Sequence, residues 1–157
     1  MSDRSPALYL IDLWIAIDKI HRYTKHINSA DSLLHDEIRW DATIREFEII
    51  GESIKKLLEY KMLDISYRRI VDFRNQLVHA YFGIDENIVW DIIQTKLSPL
   101  QNEIANLATA MYRHDGTTSI SDAIASAYHD KNTSNAVRQA LDNLHTRLIE
   151  SSKEQHA

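Results

Sequence analysis

Apolar residues near the start of the chain recur in alternating steps of three and four. Leu10, Leu13, Ile17, Ile20 and Ile27, with Thr24 filling the gap, draw one buried stripe down a helix from Pro6 to about Ile27. Ser5 followed by Pro6 suits its start, because a serine side chain caps and proline fits the first helical position. Asn28, Ser29, Asp31 and Ser32 break the pattern, around a short helical turn at Leu33 and Leu34. A second long helix is predicted from Glu37 to Tyr60, with Trp40, Ile44, Phe47, Gly51, Ile54 and Leu58 as its stripe. Glycine costs about 1 kcal/mol in a helix interior. Gly51 on the core side therefore predicts close backbone approach by another helix.

Lys61 to Ile65 read as a connector, after which Ser66 can cap a third helix carrying Ile70, Phe73 and Leu77. That helix is expected to end near Ala80 to Gly83. Asp85 caps a fourth, with Ile88, Val89 and Ile92 inward, so the third and fourth form a hairpin with its corner at His79 to Asp85. Ser98-Pro99 repeats the cap-then-proline start and opens a fifth helix bearing Leu100, Ile104, Leu107 and Met111. From His114 to Ser119 the chain turns polar. Beyond lie a short helix (Ile120, Ile124, Ala127) and a longer one (Val137, Leu141, Leu144, Leu148), then a frayed tail from Glu150. Neither late helix can bury its stripe alone, so both are expected to pack on the main bundle or on a partner. The reading is a helical bundle over residues 5–113 and a C-terminal helical extension over 114–157.

Composition agrees. Only 3 glycines and 2 prolines occur in 157 residues, against roughly 12% in average proteins. An all-β chain needs more turn residues than that, so the fold class is all-α. Cysteine is absent, which excludes disulfide scaffolds, thiolate metal sites and thiol nucleophiles and suits a reducing cytoplasm. No apolar run approaches the ~18 residues of a membrane span. The nearest, Ala7 to Ile17, is interrupted by Asp12 and lacks a leader-peptide pattern. A net charge of −5 argues against indiscriminate nucleic-acid binding. Between Lys55 and Phe82, however, six basic residues face three acidic ones, a local +3.

The informative segment is Arg74-Asn75-Gln76-Leu77-Val78-His79-Ala80-Tyr81, which lies in that basic part. Arginine supplies a permanent planar cation that grips phosphate, histidine carries protons near neutral pH, and tyrosine offers a phenol. On a regular helix Arg74 and Tyr81 share a face, whereas His79 lies roughly 140° from Arg74. Either the helix unwinds at His79, or a second subunit completes the site. A structural account is also open: Arg74 pairs with Asp72 or Glu52, His79 caps the helix, and Tyr81 packs in the corner. Glu52, beside Gly51, reads as a buried partner of Arg74 rather than a general base.

The stretch FRNQLVHAYFGID at Phe73 to Asp85 resembles the signature of the HEPN superfamily, specifically its HepT-type toxins. It carries R-N-x-x-x-H-x-Y, flanked by FEIIGESIKK at Phe47 to Lys56 and IVWDII at Ile88 to Ile93. The resemblance covers about Leu8 to Tyr112. It implies an HEPN-type bundle of four to five core helices that dimerises and brings two Arg–His pairs into one cleft. It further implies a metal-independent ribonuclease toxin of a type VII toxin–antitoxin system, with Arg74 and His79 as the catalytic pair. Asn75 would orient the phosphate, and Tyr81 would receive AMP from a cognate nucleotidyltransferase antitoxin. The expected partners are an RNA (tRNA or mRNA), that antitoxin and a second copy of the chain, with no membrane and no cofactor. The alternatives are a non-catalytic helical subunit that holds substrate for a nucleotidyltransferase, and a plain interaction module.

Other motifs carry less. The 8 histidines include no H-E-x-x-H and no pair on one helical face beside a carboxylate, so no metal site is expected. Asp115-Gly116-Thr117-Thr118-Ser119 lacks the Gly-Lys-Ser/Thr of a phosphate-binding loop.

Overall fold

The first helix, α1 (Pro6–Thr24), opens as the sequence predicts: Ser5 Oγ accepts from the Ala7 amide at 3.3 Å, and Pro6 follows it. A computed structural model of the chain describes residues 4–80, 83–114 and 118–154. α1 is three residues shorter than its periodicity suggests. Thr24 turns its hydroxyl onto the Ile20 carbonyl at 2.8 Å, and half-buried Ile27 lies beyond the helix end. Its buried surface is also broader than one stripe. Ala7, Ile11, Trp14 and Ala16 are buried beside Leu10, Leu13, Ile17 and Ile20. A helix covered on several sides is a central helix, and α1 packs against four others.

After α2 (Ala30–Leu34), which buries Leu33, Asp36 caps α3 (Glu37–Glu59) by accepting from the Arg39 amide at 3.1 Å. α3 lies along α1. It buries Ile44, Phe47, Gly51 and Ile54 from the predicted stripe, and Thr43, Ile50, Ser53 and Leu57 in addition. It ends in a left-handed turn at Lys61 (φ 56°), where the Met62 and Lys61 amides bond the Leu57 and Leu58 carbonyls. This paired closure satisfies carbonyls that a helix end leaves free.

The chain then turns back. Asp64, not Ser66, does the capping: its carboxylate accepts from the Ser66 amide at 2.9 Å and starts a single 3-10 turn at Ile65–Tyr67. An Asp two residues from an amide folds over it readily, which removes Ser66 from the cap position. α4 (Arg68–His79) follows directly and packs on α3. Phe47 and Phe73 meet edge-to-face at that contact, ring centroids 5.4 Å apart.

Asp85 caps α5 (Glu86–Thr95) as predicted, accepting from the Asn87 amide at 2.9 Å. Its buried pair is Val89 and Ile93, while Ile92 is half-buried and Ile88 is 48% exposed. The inward face is rotated because α5 packs chiefly on α2 and α6. The expected hairpin corner, His79 to Asp85, includes Tyr81 and Phe82, which lie outside the described residues. α6 (Leu97–His114) begins one residue before Ser98, so Ser98 is helical instead of capping. Pro99 still falls in the first turn, where its missing N–H leaves no bond unmade. α6 buries Leu97, Leu100, Ile104, Ala105 and Ala108, with Leu107 and Met111 half-buried.

The two late helices, α7 (Thr118–His129) and α8 (Asn135–Lys153), pack on α1 and α6. Ile120 and Ile124 of α7 and Val137, Leu141, Leu144 and Leu148 of α8 join the same apolar core. The Trp14 indole N–H donates to the Ala140 carbonyl at 2.7 Å in that buried seam. α8 continues through Glu150 to Lys153, where a frayed tail is expected. Arg113 holds its last turn by donating to the Ser151 carbonyl at 2.6 Å. The molecule is all-α: no strand occurs among the described residues, and no helix there is long and apolar enough to cross a membrane.

Trp14→Phe keeps an aromatic ring but removes the buried donor, leaving the Ala140 carbonyl with its helical partner alone. The expected cost is about 0.5–1.5 kcal/mol, with a fall in melting temperature of about 2–4 °C per kcal/mol, read by thermal denaturation. An unchanged melting temperature would show that the seam between α1 and α8 does not depend on this bond.

Candidate active site

The site is built on the crossing of α3 and α4. A Cβ at Gly51 would stand 2.3 Å from Arg74 Cβ and 2.4 Å from Arg74 Cγ, far inside van der Waals contact. The close approach expected of Gly51 is therefore made by the root of Arg74 itself. Any larger residue at position 51 would push α4 outward and Arg74 with it.

From that root the guanidinium reaches toward solvent. Arg74 Nη2 lies 3.5 Å from Glu52 Oε2, and Nη1 donates to Asn75 Oδ1 at 3.2 Å. The side chains of Arg74 and Glu52 are 28% and 44% exposed, so Glu52 is a half-exposed partner rather than the buried one expected. An ion pair this open contributes at most about 1 kcal/mol. Arg74 Nε is buried with no hydrogen-bond partner among the described residues. Arg74, Glu52 and Ser53 border a hollow of about 280 Å³ that also takes in Arg4, Asp12 and Glu48. Arg4 pairs there with Asp12, and Arg45 with Glu48 at 2.9 Å. The Arg74–Glu52 contact is the longest of the three, and breaking it would cost little.

His79 is the last residue of α4 and is exposed. The helix stays regular up to it, since the Ala80 amide bonds the Gln76 carbonyl at 2.9 Å. Five helical positions turn His79 roughly 140° from Arg74, onto the face that also carries exposed Arg68, Asp72 and Asn75. Its imidazole has no ion pair or hydrogen bond with any described residue. One chain thus brings together Arg74, Asn75 and Glu52, and leaves His79 about 140° round the same helix from Arg74. Tyr81 lies outside the described residues. Among those described, no three His, Asp or Glu side chains are grouped so as to hold a metal ion.

Sequence comparison adds a decisive observation. The model of a family described as "HepT-like: Ribonuclease HepT-like" matches residues 14–107. The chain belongs to the HepT-like family. The match runs from inside α1 to inside α6 and takes in Gly51, Glu52, Arg74, Asn75, His79 and Tyr81. A relative in Thermococcus cleftensis, "Probable ribonuclease HepT", is 34% identical over 107 residues, covering 66% of this chain and 96% of its own length. "Putative RNase MJ1380" of Methanocaldococcus jannaschii is 30% identical over 107 residues, covering 66% and 97%. No solved structure gives a significant match. The HepT-like match ends before α7 and α8.

Two features escaped the sequence. Gly51 signalled a close approach, but which residue approached is a property of the helix crossing. Lys55 and Arg68 registered only as net charge, because their adjacency needs α4 folded back on α3.

Gly51→Ala tests the crossing. Helix propensity alone favours alanine by about 1 kcal/mol, whereas overpacking at this contact costs about 1–3 kcal/mol. The variant should melt below wild type, by calorimetry, and gain no stability from its better helix former. A melting temperature above wild type would mean that α4 yields freely and that Arg74 is not held by this contact.

Proposed function

We propose that this chain is the ribonuclease toxin of a type VII toxin–antitoxin pair, acting on RNA without a metal ion and as a homodimer. The observation that carries the reading is the position of His79. In a family described as ribonuclease, the guanidinium of Arg74 and the imidazole of His79 leave α4 on different faces, and the helix does not unwind to reunite them. Two copies related by a two-fold axis supply each Arg74 with imidazoles facing one groove.

RNA brings its own nucleophile. His79 of one copy takes the proton of a 2′-hydroxyl, whose oxygen attacks the adjacent phosphorus. His79 of the second copy protonates the departing 5′-oxygen, and the products are a 2′,3′-cyclic phosphate and a 5′-hydroxyl. Arg74, released from its loose contact with Glu52, meets the negative charge on the non-bridging oxygens. Asn75 Oδ1, which accepts from Arg74 Nη1, orients the guanidinium. Glu52 holds it ready when RNA is absent. The Arg74 cation and its hydrogen bonds act where charge develops.

Control is assigned to Tyr81. The antitoxin would direct its hydroxyl at the α-phosphorus of ATP, forming a Tyr–AMP ester and releasing pyrophosphate. The added phosphate competes for Arg74 and blocks the groove by bulk and charge.

Arg74→Ala and His79→Ala should each lower RNA cleavage by about 10²-fold or more with unchanged circular dichroism and unchanged mass by light scattering. A 2′-deoxy substitution at the scissile nucleotide should block cleavage, and chelators should leave it intact. Cleavage at the wild-type rate by purified His79→Ala would sink the mechanism and favour a non-catalytic subunit.

Tyr81→Phe removes only the acceptor oxygen. It should keep ribonuclease activity yet resist silencing by antitoxin and ATP, while wild type gains AMP on the peptide containing Tyr81 by mass spectrometry. Equal silencing of both proteins with no adduct would point instead to occlusion by a bound antitoxin.

A further inference from the structure

A second concavity adjoins Arg74 through Asn75. It is a groove of about 310 Å³ between α3 and α4, at the lower end of the size range for small-ligand sites, about 300–1,000 Å³. Lys55 of α3 and Arg68 of α4 stand on it. Both are exposed, and neither side chain has an ion-pair or hydrogen-bond partner among the described residues. Its floor is apolar, made by half-buried Leu58 and by Val71, with exposed Ile65 at one side. Two carboxylates also border it. Glu59 is engaged by Lys56 at 3.2 Å, whereas Asp72 is free of any ion pair among the described residues.

An apolar floor under two uncommitted cations fits a ligand with one flat apolar face and a negative backbone. A nucleotide has that form. Arg68 and Asn75 are seven residues apart, about 10 Å along α4, so a strand whose phosphate lies on Arg74 passes directly into the groove.

We infer that the α3–α4 groove is a subsite for the RNA nucleotide flanking the scissile bond, with Lys55 and Arg68 contacting its phosphates and Leu58 and Val71 lying under its base. This rests on the ribonuclease reading and extends it by naming the path of the strand and the residues that set KM. Asp72 is the opposing charge in the site and weakens binding there. The larger groove between α4, α5 and α6, bordered by Arg69 and Lys96, shares no residue with the Arg74 site and supplies a control.

The test uses full-length His79→Ala and fluorescent single-stranded oligouridylate and oligoadenylate, read by anisotropy over a salt series. Lys55→Gln and Arg68→Gln, each added to that background, should weaken binding about 3- to 10-fold at low salt. Each should also lower the slope of log K against log salt by about 0.7, the value for one phosphate no longer neutralised on a single strand. Asp72→Asn should tighten binding, and Lys96→Gln should change nothing. In the otherwise wild-type protein, Lys55→Gln and Arg68→Gln should raise KM for RNA with little change in kcat. Binding that neither Lys55→Gln nor Arg68→Gln alters, or that Lys96→Gln weakens equally, overturns the groove while leaving the ribonuclease reading in place. If His79→Ala binds neither oligonucleotide and wild type cleaves no RNA, the ribonuclease reading falls, and the groove with it.

Discussion

The site depends on a missing methyl group. Helices ordinarily pack with axes about 8–10 Å apart, at a distance set by the side chains in contact. At Gly51 nothing projects from α3, and the first two side-chain carbons of Arg74 occupy that space. The base of a long, flexible cation is thereby wedged into a helix crossing. Beyond that wedge the side chain runs through buried Nε to a guanidinium that reaches solvent. Phe47 against Phe73 braces the same crossing, so the rotation of α4 about its own axis is set by packing. That rotation places Arg74 toward α3 and turns His79 roughly 140° away, onto the flank it shares with Arg68, Asp72 and Asn75.

Electrostatics then follows from exposure. Arg74 and Glu52 are close enough to attract but too open to hold each other firmly. The guanidinium is oriented yet available, as the proposed exchange of a carboxylate for a phosphate requires. A deeply buried pair would have held the arginine in place and made that exchange costly. The segment from Lys55 to Phe82 carries a charge of +3 in a chain of net charge −5, so Arg74 lies in the locally basic part of the sequence.

The late helices answer to a different need. α1 is apolar around much of its circumference, and α3 and α6 cover only part of it. α7 and α8 close the remainder, and Trp14 ties α8 in through a backbone carbonyl. These two helices lie past the HepT-like match. They extend the core and, among the described residues, contribute no side chain to the hollow or the groove beside Arg74.

Much of this was legible from periodicity and local chemistry. Steps of three and four marked the main helices, because a buried stripe repeats with the helical turn. Ser5, Asp85 and Pro6 marked starts, because capping acts between near neighbours in the chain. The motif residues Arg74, Asn75, His79 and Tyr81, and Gly51 as a point of close approach, could likewise be named from the sequence. Where an element faced was another matter. Ile88 and Ile93 are equally apolar, and only the position of α2 and α6 decided that Ile93 is covered and Ile88 is not. Asp64 displaced Ser66 as a cap because the chain was already turning at Lys61. The partner of Gly51, the looseness of Glu52 on Arg74 and the meeting of Lys55 with Arg68 all join residues far apart in sequence. Their distances are set by how α4 crosses α3. Local spacing determined which residues could do chemistry, and long-range packing alone decided which of them share a surface.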